Sequence, residues 1–295
     1  MMLDRMEGNA ELKTSVQQML ATRRLTHSVL LVGEAGLGTG FAARCIAADY
    51  LYPATVETGI VREAISVSGM GSGGKYLVGQ VTAMRSEIFN TSLSAEGRAV
   101  LLYHVERMNE ESANALLKVM EEPPEGVLFL LTADSLASVL PTIRSRCVSF
   151  AVAPVSPADC TRYCAAQGVD KKTAALYSEL FDGHIGTVLA VARDEARAAQ
   201  VEKALELARA AAARDSYTAA VLLAAYEKDK AAASALLTDF RAVAAAGLRS
   251  SPHAPVQGTQ ARQAVRLADA ALQRLGAQVN PKVVLSVFAA KLHTL

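Results

Sequence analysis

The residues best suited to chemistry are a glycine-spaced turn, Gly33-Glu-Ala-Gly-Leu-Gly-Thr-Gly40, directly after the apolar run Ser28–Val32. A phosphate-binding loop reads G-x-x-x-x-G-K-[S/T]. Backbone N–H groups cradle the phosphates, the lysine neutralises their outer charge and the hydroxyl holds magnesium. Here Gly33 and Gly38 keep the spacing, but Thr39 stands at the lysine position and Gly40 at the hydroxyl position. A helix N-terminus still attracts an anion, so the turn keeps some capacity for nucleotide. Hydrolysis needs the missing charge and metal ligand.

A second match, Gly69-Met-Gly-Ser-Gly-Gly74-Lys75, follows the strand-like Ala64–Ser68, but Tyr76 takes the hydroxyl position. A glycine-rich stretch matches glycine spacings by chance, and a surface loop is the simpler reading. The acidic pair that would hold magnesium and polarise water belongs at the end of the strand Ala99–Tyr103. Tyr103 and His104 occupy those places, and Glu106 lies beyond the strand end. His104 reads as a polar residue at a strand mouth rather than a base. The remaining candidates are the arginines of Arg144-Ser145-Arg146-Cys147.

These residues need elements to hold them. Apolar runs at Ala99–Tyr103 and Val127–Thr132 have strand length and no alternation, as strands buried on both faces do. Between them Asn109 is suited to cap a helix, Glu110 and Glu111 favour its positive end, and Pro123-Pro124 stops it. Helical spacing also marks residues 12–20, Phe41–Tyr52 and Leu77–Leu93. From Pro154 the texture is helical: Ala158–Ala166, Lys172–Phe181, a segment after Gly183, the alanine-rich Asp194–Leu248, Gln260–Leu275 and Pro281–Leu292. The expected fold is a parallel α/β sheet with flanking helices followed by helical domains.

Composition narrows the options. With 295 residues the chain accommodates two or three domains, and 51% hydrophobic residues fill a sizeable core. A net charge of +1 gives no global field for nucleic acid or membrane. No export signal and no uninterrupted apolar run of membrane-spanning length is present, which points to a cytoplasmic protein without membrane contact. Cys45, Cys147, Cys160 and Cys164 have no metal-ligand spacing and read as small buried hydrophobes, with no metal site.

Taken together, His27-Ser-Val-Leu-Leu-Val-Gly33, Asn114-Ala-Leu-Leu-Lys-Val-Met-Glu-Glu-Pro-Pro124, Ser145-Arg146-Cys147 and Val279-Asn280-Pro281-Lys282 resemble the AAA+ clamp-loader subunits of bacterial DNA polymerase III. The resemblance implies an AAA+ domain over 1–152, a small helical lid over 153–195 and an all-helical collar over 196–295. It also implies that Ser145-Arg146-Cys147 presents Arg146 as an arginine finger to ATP bound by a neighbouring subunit, with Ser145 and Cys147 positioning it. Arg144 is read as a surface charge. ATP-hydrolysing gamma/tau subunits keep the lysine, hydroxyl and acidic pair lost here at Thr39, Gly40, Tyr103 and His104. They also carry a lid arginine where Gly186 stands, so the non-hydrolysing delta-prime type is implied, without bound cofactor. The four-cysteine zinc module usual in the family is missing from 50–75. Implied partners are the gamma/tau and delta subunits, the sliding clamp and primer–template DNA, with Lys118 a candidate phosphate contact. Thr132 sits at the family's nucleotide-sensing position. The alternatives are an ATPase of the gamma/tau type and a stand-alone DNA-binding protein.

Overall fold

The computed structural model describes residues 1–22, 27–52, 64–71, 74–90 and 97–292. These form two compact units, Met1–Val155 and Ser156–Leu295.

Five parallel strands, β1 (Ser28–Val32), β2 (Ala64–Val67), β3 (Arg98–Leu102), β4 (Val127–Ala133) and β5 (Val148–Ala151), make one sheet in the order β2-β3-β4-β1-β5. The central strands carry an apolar residue at nearly every position, so each face of the sheet is lined by alternate residues. Val29, Leu31, Ala99, Leu101, Leu128 and Leu130 line one face. They pack with Leu12 and Val16 of α1 (Ala10–Ala21) and with α2 (Thr39–Leu51), which buries Ala42, Ala43, Cys45, Ile46 and Leu51. Leu30, Val100, Leu102, Val127, Phe129 and Leu131 line the other, under α3 (Val78–Asn90) and α4 (Glu110–Glu121). The α4 cap is the expected one: Asn109 accepts from Ser112 N at 2.8 Å. Buried Asp49 of α2 accepts from the backbone N–H groups of Met2 (2.6 Å) and Leu3 (2.9 Å), fastening the N-terminal turn to this layer.

Two short elements depart from the sequence reading. A four-residue helix, α5 (Pro141–Arg144), starts with proline, whose fixed φ suits a first turn. It leads into β5, an edge strand whose residues alternate between half-buried and exposed. That pattern is too short to stand out by periodicity. In the glycine-rich stretch Gly69–Lys75, Ser72 and Gly73 lie outside the described residues. No helix opens at Lys75; α3 begins at Val78.

The second unit is helical throughout its described part: α6 (Pro157–Ala166), α7 (Lys171–Leu180), α8 (Ile185–Arg193), α9 (Glu195–Ala213), α10 (Ser216–Ala224), α11 (Lys230–Leu248), α12 (Gly258–Gly276) and α13 (Pro281–Leu292). The alanine-rich run is three helices. Arg214 enters the left-handed region at φ 57, Asp215 caps α10 through Thr218 N, and Asp229 caps α11 through Ala231 N and Ala232 N. α11 is long and apolar enough to cross a bilayer by length and composition, but half of that stretch is buried in the unit. Its Phe240 meets Phe288 of α13 edge to face at 5.4 Å.

Candidate functional site

β1 lies inside the sheet between β4 and β5, and the turn after it opens at the carboxyl ends of the strands, where ligands of open α/β sheets bind. Gly33 donates its N–H to the Ala133 carbonyl at 3.0 Å, and a side chain there would meet the Val152 carbonyl at 2.8 Å. Close backbone approach therefore requires glycine. Gly38 takes φ 94 as the residue before α2, the conformation glycine adopts without strain. Thr39 and Gly40 open α2, so the loop-to-helix geometry is preserved although the lysine and hydroxyl are not.

The contents of that mouth explain why. A Cβ at Gly40 would sit 3.3 Å from Tyr103 Cε1 and 3.8 Å from Arg44 Nη1. The aromatic ring at the first acidic position thus lies in close contact with the residue at the hydroxyl position. The two replacements, far apart in sequence, face each other.

His104 sits just past β3 in the left-handed region at φ 59. Its N–H donates to Thr132 Oγ1 at 3.1 Å, so Thr132 of β4 braces this strand mouth. Its Nδ1 lies 3.1 Å from Glu106 Oε1 and 3.5 Å from Asp134 Oδ1. Glu106 comes back toward His104, bringing a carboxylate near the mouth although the sequence places it beyond the strand. Glu106 Oε1 also lies 3.7 Å from Arg107 Nε, and Oε2 is buried without a hydrogen-bond partner. Tyr76, the other candidate hydroxyl bearer, is buried. It donates to the carbonyls of Val67 and Tyr103, and burial pushes its phenol pKa well up. It is a strut between strand ends rather than a ligand.

The Ser145-Arg146-Cys147 turn stands at the end of α5. Ser145 Oγ donates to the Thr142 carbonyl at 3.1 Å, and Arg146 Nη1 donates to the same oxygen at 3.0 Å. Arg146 Nη2 pairs with Glu121 Oε1, from the last residue of α4. Cys147 packs half-buried against the core beneath, and burial pushes its thiol up to about 12. At neutral pH it is a packed thiol, not a nucleophile. Arg144 is exposed, as is Gly186 near the start of α8.

Residues 54–156 match the family described as DNA polymerase III, delta subunit. Curated relatives include a DNA polymerase III subunit gamma of Buchnera aphidicola, 26% identical over 50% of this chain and 44% of its own length. Delta' subunits of Yersinia pestis (37% identical over 32% of this chain and 27% of the relative) and Pseudomonas aeruginosa (33%, 41% and 42%) also match. Over part of its length the chain is similar to gamma and delta' subunits of DNA polymerase III. The matches span less than half the length of these curated relatives. A solved DNA polymerase III gamma subunit-related protein of Thermotoga maritima shares the fold at TM-score 0.59 and 18% identity, over 95% of this chain and 98% of that one. The parallel α/β sheet followed by helices is thus a fold shared with that solved structure.

The remaining candidate, Lys118, stands on α4. With Asn114, Glu111, Thr82 and Arg85 it lines a cavity of about 290 Å³ between α3 and α4. Arg85 was not legible as part of any site. Neither was the contact of Glu121 with Arg146. The acidic pair ending α4 was the only available signal.

Proposed function

We propose that this chain is a non-hydrolysing, delta-prime-like clamp-loader subunit that supplies Arg146 in trans to ATP held by an adjacent gamma/tau subunit. In this reading it works in the cytoplasm beside the delta subunit, helping to load the sliding clamp on primer–template DNA. It binds no cofactor of its own, and Lys118 is a candidate contact to a DNA phosphate. The observation that carries the reading is the Tyr103 ring on Gly40. A Cβ at the position that carries the magnesium-binding hydroxyl in a P-loop would stand 3.3 Å from the edge of the Tyr103 ring. Thr39 stands where the lysine of a phosphate-binding loop neutralises the outer phosphates. Arg146, by contrast, is kept and exposed, and a guanidinium can donate two parallel hydrogen bonds to phosphate oxygens. Such fingers raise phosphoryl-transfer rates by about 10³–10⁵ where they act in trans.

Similar proteins include gamma subunits, so the isolated chain must be tested for its own ATPase. Titrating the purified chain with magnesium ATP is expected to give no micromolar binding and no turnover. Tight magnesium-dependent binding with hydrolysis would make it an ATPase instead.

A further inference from the structure

Arg146 is oriented by more than its own loop. Nη1 donates to the Thr142 carbonyl at 3.0 Å and lies 3.5 Å from Ser145 Oγ, while Nη2 pairs with Glu121. Nε has no partner among the described residues. Glu121 comes from a separate element, 25 positions earlier in the chain. The pair is open to solvent, with 37% of the arginine side chain and 50% of the glutamate exposed. Ion pairs at such exposure add little to folding stability. Orientation is a different matter. A free arginine samples many rotamers, and losing them on docking weakens an interface. A guanidinium held from one side by a carboxylate and from the other by a carbonyl loses less.

We infer that Glu121 is a positioning residue for Arg146. It pre-orders the guanidinium through Nη2 in the unassembled chain. Because the exposed pair is weak, it yields the arginine to a polyphosphate, which offers more charge and more acceptor oxygens. Glu121 touches no reacting atom and acts through Arg146 alone. This inference rests on the finger reading above.

The test uses the assembled complex with variants in this chain, reading kcat and KM for ATP in the partner ATPase. Size-exclusion chromatography checks that each ring forms. Glu121→Ala is expected to lower partner kcat by about 3–10-fold, with KM changed less than about twofold. Glu121→Gln keeps an oxygen that accepts from Nη2 and should retain most of the rate. The double variant Glu121→Ala/Arg146→Ala should be no slower than Arg146→Ala alone, since removing the arginine removes the path by which Glu121 acts. A Glu121→Ala rate that is unchanged or raised, beside a slowed Arg146→Ala ring, overturns this inference and leaves the finger intact. A double variant slower than the single one also overturns it. If Arg146→Ala itself is silent, the finger reading fails and this inference falls with it.

Discussion

A Cβ added at Gly40 would meet the edge of the Tyr103 ring at 3.3 Å, a distance at which one of the two must move. Threonine, the residue a working phosphate loop carries there, adds a hydroxyl and a methyl beyond that Cβ. Overpacking of this kind costs about 1–3 kcal/mol. Gly40→Thr should therefore lower stability to chemical denaturation, and much less so in a Tyr103→Ala background. The coupling between the two changes measures the contact directly; strictly additive effects would deny that the residues share this space. Both losses were legible in the sequence, one from the loop pattern and one from the strand end. Their juxtaposition was not, because it depends on how α2 and β3 meet through the sheet. Glu121 shows the same limit. Its place at the end of α4 could be read, while its reach to Arg146 depends on where α5 turns the chain.

Among the elements, local signals served well where a cap or a strand was strong. Asn109 and the proline pair bounded α4, and the apolar runs became β1, β3 and β4. The alanine-rich region read as helical, which it is, but alanine favours helix everywhere and hides the breaks, where Asp215 and Asp229 act as caps. Packing of α9 against α11 places Asp239, 3% exposed, against the guanidinium of Arg197. Burial raises the Asp239 carboxyl above its ordinary 3.8, and hydrogen bonding and charge from Arg197 oppose that rise. Removing only the arginine leaves a buried carboxylate without its counter-charge, with only the Gln200 hydrogen bond also favouring its charged form, so Arg197→Met should cost about 3 kcal/mol near neutral pH. The sign with pH follows from linkage. In the variant the folded carboxyl pKa rises further, so the folded state takes up a proton before the unfolded one does. The penalty is then fully present above the folded pKa and shrinks as the pH falls through it. Urea denaturation of both proteins at several pH values from about 8 down to 5 checks this; a penalty that grows on acidification would contradict it.

For the whole molecule, the sheet order and the two-sided core place a phosphate-loop-like turn, with Thr39 and Gly40 at the lysine and hydroxyl positions, beside a strand mouth that holds Tyr103 and His104. Near-neutral charge argues against independent nucleic-acid binding. The group best suited to phosphate, Arg146, is at the surface and is tethered only by weak contacts. On the proposed reading, the chain acts on a nucleotide held by a neighbouring subunit. The most direct measurement is clamp- and DNA-stimulated ATP turnover by the gamma/tau partner in a reconstituted complex containing Arg146→Ala in this chain. The account predicts normal folding and assembly with partner turnover reduced by about 10³-fold or more per site served. An assembled ring whose partner hydrolyses ATP at the unaltered rate would contradict it.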